Sequence, residues 1–359
     1  MQYKQIDGLR FFAVIAVIFQ HVCPLPFWHD FPIGSFGVNL FFVISGFLIT
    51  EILMREKIKE TTTPALLKTF FTRRVLRIFP LYYLYILICL FFVPYETHEY
   101  MPWLLTYTMN IWIAFKNQLA FWYFTHLWSL GVEEQFYIVW PFLIISFPVK
   151  RLKVLFLLMI ALSILYRAVN VFYLNNYYLF NETMLPTTLD CFGAGALLAY
   201  LKTFKSVQLN NAMRHKYLIV AGILLFILNN RFGTILMQQS LGKALNAFVA
   251  FYLVGVAATI RFNNLMKLLL ENKVIMYFGR ISYGMYIYHL LVMGLMGRYF
   301  TQFWEHFNMA SFPATSATKM ALEFIFISIC TITVSMVSYE IFEKRFLALR
   351  KYFPYSKAI

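Results

Sequence analysis

Two polar residues stand on the first apolar stretch of the sequence, one at each end. Arg10 is followed by ten residues without a charge, and His21 comes directly after them. On an α-helix, eleven steps of about 100° bring both side chains to one face, roughly 16 Å apart along the axis. This arrangement predicts a polar pocket in which His21 is a candidate general base. The alternative is a snorkelling arginine and a histidine satisfied by its surroundings.

A second set of polar residues begins a later apolar stretch. At the spacing i, i+3, i+7 and i+11, four side chains share one helical face: His126, Ser129, Glu133 and Tyr137. Glu133 is expected about 10 Å below the outer end of its helix, and His21 reaches a similar depth from the opposite side. We therefore predict that the Glu133 carboxylate orients the His21 imidazole and that both are catalytic. The alternative is a buried pair that only holds the helices together.

Three arginines open the third apolar stretch. Arg73 and Arg77 are spaced i, i+4, and Arg74 and Arg77 are spaced i, i+3, so the three side chains can converge. Arginine clusters bind phosphates through bidentate hydrogen bonds, and a helix N-terminus adds its dipole. Together with Arg10 the cluster predicts a cofactor site, although topology signals and lipid-headgroup contacts are commoner uses of such residues. Pro80 predicts a bend just inside the membrane.

Further polar residues interrupt later apolar stretches. Asp190 precedes a run of small residues that permits close helix packing. Ser282 and His289 share a helical face, although a histidine that serves packing is the commoner case. Together with Glu134, the neighbour of Glu133, these side chains are predicted to bind the substrate.

The composition predicts the fold class. Of the 359 residues, 61% are hydrophobic and only 13% are charged, against about 25% charged residues in soluble domains. The chain is therefore predicted to be an all-α integral membrane protein with about ten transmembrane helices. The predicted spans are residues 9–27, 34–54, 76–94, 127–147, 152–171, 186–202, 216–231, 242–260, 274–298 and 320–342.

The number of basic residues alternates between high and low in successive connections between the apolar stretches. Seven lie in residues 55–77, whereas residues 95–125 contain one and residues 24–33 and 172–185 contain none. By the positive-inside rule, both termini are predicted to be cytoplasmic. The net charge of +15 is then a topology signal that needs no nucleic-acid partner. The four cysteines form no Cys-x-x-Cys or Cys/His cluster, so no metal site is predicted.

In these motifs the sequence resembles the acyltransferase 3 family of membrane O-acyltransferases. The likeness rests on the Arg10–His21 pair, GVNLFFVISGFLIT at 37–50, RRVLRIFPLYY at 73–83, HLWSLGVEEQFYIVWP at 126–141, GRISYGMYIYH at 279–289 and SYEIFEKRF at 338–346. It covers about residues 3–346 and favours Glu133 over Glu134 as the functional glutamate. The resemblance implies one membrane domain over residues 1–346, followed by a short basic cytoplasmic tail at 347–359. The periplasmic esterase-like domain that many relatives carry is not expected here.

The resemblance also implies a reaction. An acyl group, most often acetyl, passes from cytoplasmic acyl-CoA to a hydroxyl of an extracytoplasmic glycan or lipid-linked sugar. The expected co-substrate is acetyl-CoA without a metal, and the expected location is the inner (plasma) membrane, as a multi-pass protein among its lipids. His21 then acts either as a general base or as a transiently acylated nucleophile; the sequence leaves both open.

Two other classes of function compete with this interpretation. A secondary transporter or flippase for a lipid-linked sugar would use intramembrane Glu, His and Asp side chains as a proton path. The two-fold hydropathy repeat common in transporters is not seen in the sequence. A non-catalytic membrane assembly factor is the third reading, and it predicts that substitution of His21 has no phenotype.

Overall fold

A computed structural model describes residues 3–23, 32–174, 177–261, 265–306 and 317–355. Within these ranges the protein is helical and contains no strand. The first nine helices are α1 Lys4–Val22, α2 Ile33–Ile58, α3 Thr63–Phe92, α4 Pro94–Leu105, α5 Met109–Lys116, α6 Trp128–Ser146, α7 Val149–Tyr173, α8 Tyr177–Thr183 and α9 Leu189–Phe204. The remainder are α10 Ser206–Met213, α11 Tyr217–Phe232, α12 Ile235–Thr259, α13 Leu265–Leu270, α14 Lys273–Arg280, α15 Ser282–His306, α16 Ala317–Ser338 and α17 Lys344–Ala348.

Six helical segments among the described residues are long and apolar enough to cross a membrane. They are α1, α2, α3, α7, α12 and the segment Ala317–Tyr352 that α16 begins. Helices α10 and α11, bent by 66° at their junction, make a seventh if they are taken as one broken span. The protein is therefore an all-helical membrane protein.

Helices lie at each of the ten predicted spans, but ten crossings are not confirmed. Helix α9 has 16 residues, fewer than the roughly 20 needed to span a hydrocarbon core. The predicted span 274–298 is divided at Ile281 between α14 and α15. Residues 24–27 of the first predicted span lie outside the described residues.

Helix α2 is at the centre of the bundle, in contact with α1, α6, α9 and α12. Glycines allow its close approach to α9, as expected for membrane helices with small residues at the interface. A Cβ atom added to Gly195 would lie 2.1 Å from the carbonyl oxygen of Val43, and one added to Gly46 would lie 2.4 Å from that of Phe192. Any larger residue at these positions must push the two helices apart.

The chain after α16 folds back along α3. It forms one π-helical turn at Tyr339–Glu343, helix α17, and a 3-10 turn at Leu349–Tyr352, and each of these contacts α3. π-Helical turns are rare and are frequent at functional sites. This returning segment contributes to the cavity described next.

Candidate active site

A cavity of about 240 Å³ lies between α1, α2, α3, α6 and α15. Much of its wall is apolar and comes from α2, including Phe41, Leu48 and Ile52. Half of the residues predicted from the sequence line it: Arg10, Arg74, Arg77, Glu133 and Ser282. The fold therefore brings the cationic cluster to the same cavity as Glu133, which the sequence had paired with His21 instead.

Arginines from three parts of the chain line this cavity. Arg10 comes from α1, Arg74 and Arg77 come from α3, and Arg350 comes from the returning C-terminal segment. Arg10 pairs with Asp7, Nη1 to Oδ1 at 3.3 Å. Among the described residues, Arg74, Arg77 and Arg350 have no ion pair with a carboxylate. The cavity therefore holds unneutralised positive charge, which favours an anionic ligand.

The helix dipole does not assist this cluster, contrary to the sequence-based expectation. Helix α3 begins at Thr63, well before the predicted residue 76, so its arginines lie in the helix interior. The influence of the dipole is confined to the first turn. The binding capacity of the cluster must come from the guanidinium groups themselves.

Arg73, predicted to join the cluster, does not line the cavity. Its Nη1 atom donates to the carbonyls of Arg350 at 2.9 Å and Phe353 at 2.8 Å. Its guanidinium group also lies 5.0 Å from the ring centre of Tyr355. One residue along a helix is a rotation of about 100°, which turns Arg73 away while Arg74 enters the cavity.

Glu133 is held at the cavity wall by a chain of hydroxyl groups. Ser45 Oγ donates to Glu133 Oε1 at 2.6 Å, and the Tyr137 hydroxyl donates to Ser45 Oγ at 3.1 Å. A hydrogen bond to a carboxylate is short and strong, and a second donor behind it strengthens it further. These two hydrogen bonds fix the position of the Glu133 carboxylate in the cavity that the arginines line.

Hydroxyl groups connect the cavity wall to a histidine cluster. Ser129 Oγ lies 2.6 Å from the hydroxyl oxygen of Tyr286, and both residues line the cavity. The Tyr286 hydroxyl donates to the backbone carbonyl of His126 at 3.0 Å. The Tyr286 ring lies 5.6 Å from the rings of both His126 and His289.

Three buried or half-buried histidines form this cluster. The His289 ring centre lies 5.0 Å from that of His21 and 4.9 Å from that of His126. One nitrogen of each ring bonds a backbone carbonyl: His21 Nδ1 to Val17 at 2.9 Å, His126 Nε2 to Ile287 at 3.0 Å and His289 Nδ1 to Tyr286 at 2.6 Å. A carbonyl only accepts, so these nitrogens carry protons and the opposite nitrogens are acceptors in the neutral rings.

The predicted contact between His21 and Glu133 is absent. Among the described residues, His21 has no hydrogen bond or ion pair with a carboxylate, and its neighbour is the His289 ring. Glu133 instead bonds Ser45 on α2. Equal depth in the membrane does not make two side chains neighbours, because helix rotation decides which helix each one faces.

The other predicted substrate-binding residues, Glu134 and Asp190, lie away from the cavity lining. Glu134 is buried, and its Oε1 atom has no hydrogen-bond partner. Asp190 pairs with the buried Arg167 at 2.7 Å, and its other oxygen accepts from the Cys191 backbone at 2.9 Å. Because both its oxygens are occupied, Asp190 has the geometry of a structural ion pair between α7 and α9.

Among the described residues, no group of three or more His, Cys, Asp or Glu side chains is arranged to hold a metal ion. The site consists instead of arginines, one carboxylate, hydroxyls and imidazoles.

Comparison with known proteins identifies the family of the chain. A family model described as an acyltransferase domain, that of the acyltransferase 3 family, matches residues 3–340. The chain belongs to the acyltransferase 3 family. Within it, the chain is 32% identical over 317 residues to the peptidoglycan O-acetyltransferase OatA of Listeria monocytogenes, covering 81% of this chain and 49% of that protein.

Two staphylococcal members of the family are also similar. Identity is 27% over 325 residues to the O-acetyltransferase OatA of Staphylococcus aureus strain NCTC 8325, covering 83% of this chain and 51% of that protein. Identity is again 27%, over 331 residues, to a putative O-acetyltransferase of Staphylococcus aureus strain COL, covering 82% and 51%. The chain thus spans about half the length of these relatives. No solved structure is similar to it.

Several contributors to the site were not among the predicted site residues, and three of them show what the sequence could reveal. Ser45 is the one polar side chain in the apolar stretch LFFVISGFLI at 40–49 of α2, where a polar side chain is itself a signal of a partner. His126 was predicted to share a helical face with Ser129, Glu133 and Tyr137 and was not assigned a role; it lies in the 3-10 turn Trp122–Leu127 that precedes α6. Arg350 lies beyond the acyltransferase 3 match at 3–340, and its charge served only as a topology signal.

Proposed function

We propose that the protein is an O-acetyltransferase, which moves acetyl from acetyl-CoA to a hydroxyl of peptidoglycan or a lipid-linked precursor. One observation carries this proposal: a single cavity joins an arginine cluster to a wall of hydroxyls that adjoins three imidazoles. Anion binding at one end and proton transfer at the other are the two requirements of acyl transfer from a thioester of CoA. The relatives named peptidoglycan O-acetyltransferases support the acceptor class.

The donor enters from the arginine end. Guanidinium groups of Arg10, Arg74 and Arg77 bind phosphates by charge-assisted hydrogen bonds. The apolar wall from α2 then takes the thioester arm, and a volume of about 240 Å³ favours a short acyl group such as acetyl. The basic connection at residues 55–77 supports a cytoplasmic position for this end and an inner-membrane location for the protein.

His21 acts on the acceptor hydroxyl. Its Nδ1 proton is donated to Val17, which leaves Nε2 as the base. As Nε2 takes the hydroxyl proton, the hydroxyl oxygen attacks the thioester carbonyl carbon. The C–O bond forms, the C–S bond breaks, and the proton passes to the leaving thiolate. In the alternative, His21 Nε2 first attacks the thioester carbonyl carbon, so that a C–N bond forms, the C–S bond breaks and CoA leaves as the thiolate. The acceptor hydroxyl oxygen then attacks the acyl group, the C–N bond breaks, and the hydroxyl proton passes to the thiolate.

Glu133 has a different part in this scheme from the one predicted. Since it does not contact His21, it acts within the cavity, where it offsets the arginine charges and offers its second oxygen to a substrate hydroxyl or amide. His289 supports His21 by ring contact. Ser129 and Tyr286 position the backbone that carries His126.

The experiment uses the full chain in lipid nanodiscs with radiolabelled acetyl-CoA and peptidoglycan fragments. We expect label in the glycan, and a rate lower by about 10²- to 10⁴-fold in His21→Ala, the usual contribution of a positioned general base. His215→Ala, an exposed histidine outside the site, is the matched control and should retain the rate. Equal transfer by His21→Ala would contradict the catalytic role. Movement of a lipid-linked sugar without release of CoA would indicate a transporter.

A further inference from the structure

The C-terminal segment reaches the cavity through Arg350, which lies beyond the matched family region at 3–340. Residues 339–355 fold along α3, and Arg350 lines the same cavity as Arg10, Arg74 and Arg77. These arginines come from the beginning, the first third and the end of the described chain. Their meeting at one place is a property of the tertiary fold, because nothing in the local sequence requires it.

Arg350 is held in place from behind. Arg73 donates one hydrogen bond to the carbonyl of Arg350 and another to that of Phe353. Its guanidinium group also packs against the Tyr355 ring at 5.0 Å. The Arg73 side chain therefore binds backbone carbonyls at the end of the last helical turn, and the Arg350 side chain can enter the cavity.

The charges in this part of the cavity are unbalanced. Four guanidinium groups line it, and Arg10 is paired with Asp7. The other three, Arg74, Arg77 and Arg350, share the cavity with one lining carboxylate among the described residues, that of Glu133. The buried Nε atoms of Arg74 and Arg350 have no hydrogen-bond partner. Cations held close together with unused donors are costly unless an anion satisfies them. An arrangement of this kind is suited to a ligand with several phosphate groups.

We propose that the C-terminal segment completes the donor site, with Arg350 binding a phosphate of the CoA nucleotide and Arg73 acting as a positioning residue for Arg350. The inference rests on the proposed function, since it takes CoA as the donor. The acetyl end of CoA points toward the histidines, so its nucleotide lies at the arginine end, where the segment packs. Arg73 does not touch the ligand in this arrangement, although the sequence placed it in the phosphate cluster.

The test measures CoA binding to the purified full chain by calorimetry. Arg350→Ala should raise the dissociation constant of CoA by about tenfold to a hundredfold, the range for losing a hydrogen-bonded charged group. Arg350→Lys should recover only part of this, because an ammonium group cannot present a planar fork. Lys351→Ala is the matched control: its side chain is exposed and lies against the Tyr352 ring, so binding should not change.

A double substitution tests the positioning role of Arg73. Arg73→Ala should weaken CoA binding and raise KM for acetyl-CoA while kcat at saturating donor stays unchanged. If Arg73 acts through Arg350, Arg73→Ala combined with Arg350→Ala binds CoA no more weakly than Arg350→Ala alone. A general loss of structure would lower kcat as well. If the two substitutions instead weaken CoA binding by the product of their separate effects, Arg73 does not act through Arg350 and the positioning role is overturned.

The outcomes separate this inference from the proposed function. If the unaltered protein does not bind CoA, the proposed donor is wrong and this inference falls with it. If the unaltered protein binds CoA and both Arg350 variants bind it equally well, the donor stands and the role of the segment is refuted. Should Arg350→Ala fail to fold, the comparison of Arg350→Lys with Lys351→Ala decides the question.

Discussion

The separation of His21 from Glu133 leads to a kinetic prediction opposite to the one expected of a catalytic pair. Residues that act as one unit show non-additive effects, whereas residues without shared contacts show additive ones. His21 contacts His289, with ring centres 5.0 Å apart, and does not contact Glu133. Two double-mutant cycles that share His21→Ala therefore compare a pair of residues in contact, His21 and His289, with a pair that is not in contact, His21 and Glu133.

The magnitudes follow from these contacts. His21→Ala should slow acetyl transfer by about 10²- to 10⁴-fold. Glu133→Gln keeps an acceptor for Ser45 but loses the charge, a difference of about 1 kcal/mol, or roughly fivefold or more in rate. Combined with His21→Ala, the two losses should multiply to within about twofold. For His21→Ala with His289→Gln we expect departure from multiplication, since contacting residues couple by about 0.5–3 kcal/mol.

The assay is the initial rate of label transfer to glycan at saturating acetyl-CoA, for the unaltered protein, three single variants and two double variants. Size-exclusion profiles of each variant verify that the chain is folded. If the Glu133→Gln substitution has no effect once His21 is already alanine, the two residues act as a unit. The absence of contact between His21 and Glu133 would then not describe the active protein, and the prediction that the two residues act independently would be refuted.

Two further predictions concern structure and topology. Arg167→Met leaves the buried Asp190 carboxylate unpaired and should destabilise the protein by about 3–5 kcal/mol. The expected result is a lower thermal midpoint with an unchanged KM for acetyl-CoA, and adding Asp190→Leu should restore much of the lost stability. A raised KM would instead indicate that Asp190 binds the substrate. A reporter fused after Lys59 should read cytoplasmic and one inserted in residues 172–185 should read outside; the reverse pattern would invert the proposed entry side of the donor.

Composition and motif carried much of the prediction. Membership of the acyltransferase 3 family and the all-helical membrane fold are confirmed. The helical face proposed for the start of α6 is present for three of its four residues, since Ser129, Glu133 and Tyr137 line the cavity and His126 lies in the preceding 3-10 turn. These succeeded because spacing along a single helix determines which side chains share a face.

Spacing along one helix could not predict which side chains of different helices are in contact. Counting depth along two helices placed His21 beside Glu133, but rotation and tilt turned one toward α15 and the other toward α2. Arg73 was grouped with Arg74 because the start of α3 was placed at residue 76, although Pro64 in the first turn of the helix is a signal for a start at Thr63. Spacing along one helix also does not show what each side of that helix packs against. Arg350 was assigned to a solvated tail, since a charge near a terminus looks the same whether it meets water or a cavity.

The order in which the cavity residues are synthesised has a biosynthetic consequence. Arg10 and Arg350 line one cavity yet lie about 340 positions apart in the chain. At about 5–20 residues per second, translation places the first of them in the membrane roughly 17–70 s before the last is made. During that interval the nascent protein lacks Arg350, so its cavity is incomplete. A chain whose synthesis ends before Arg350 would have its earlier helices but would lack this part of the cavity. Membrane insertion is therefore an insensitive measure of complete assembly.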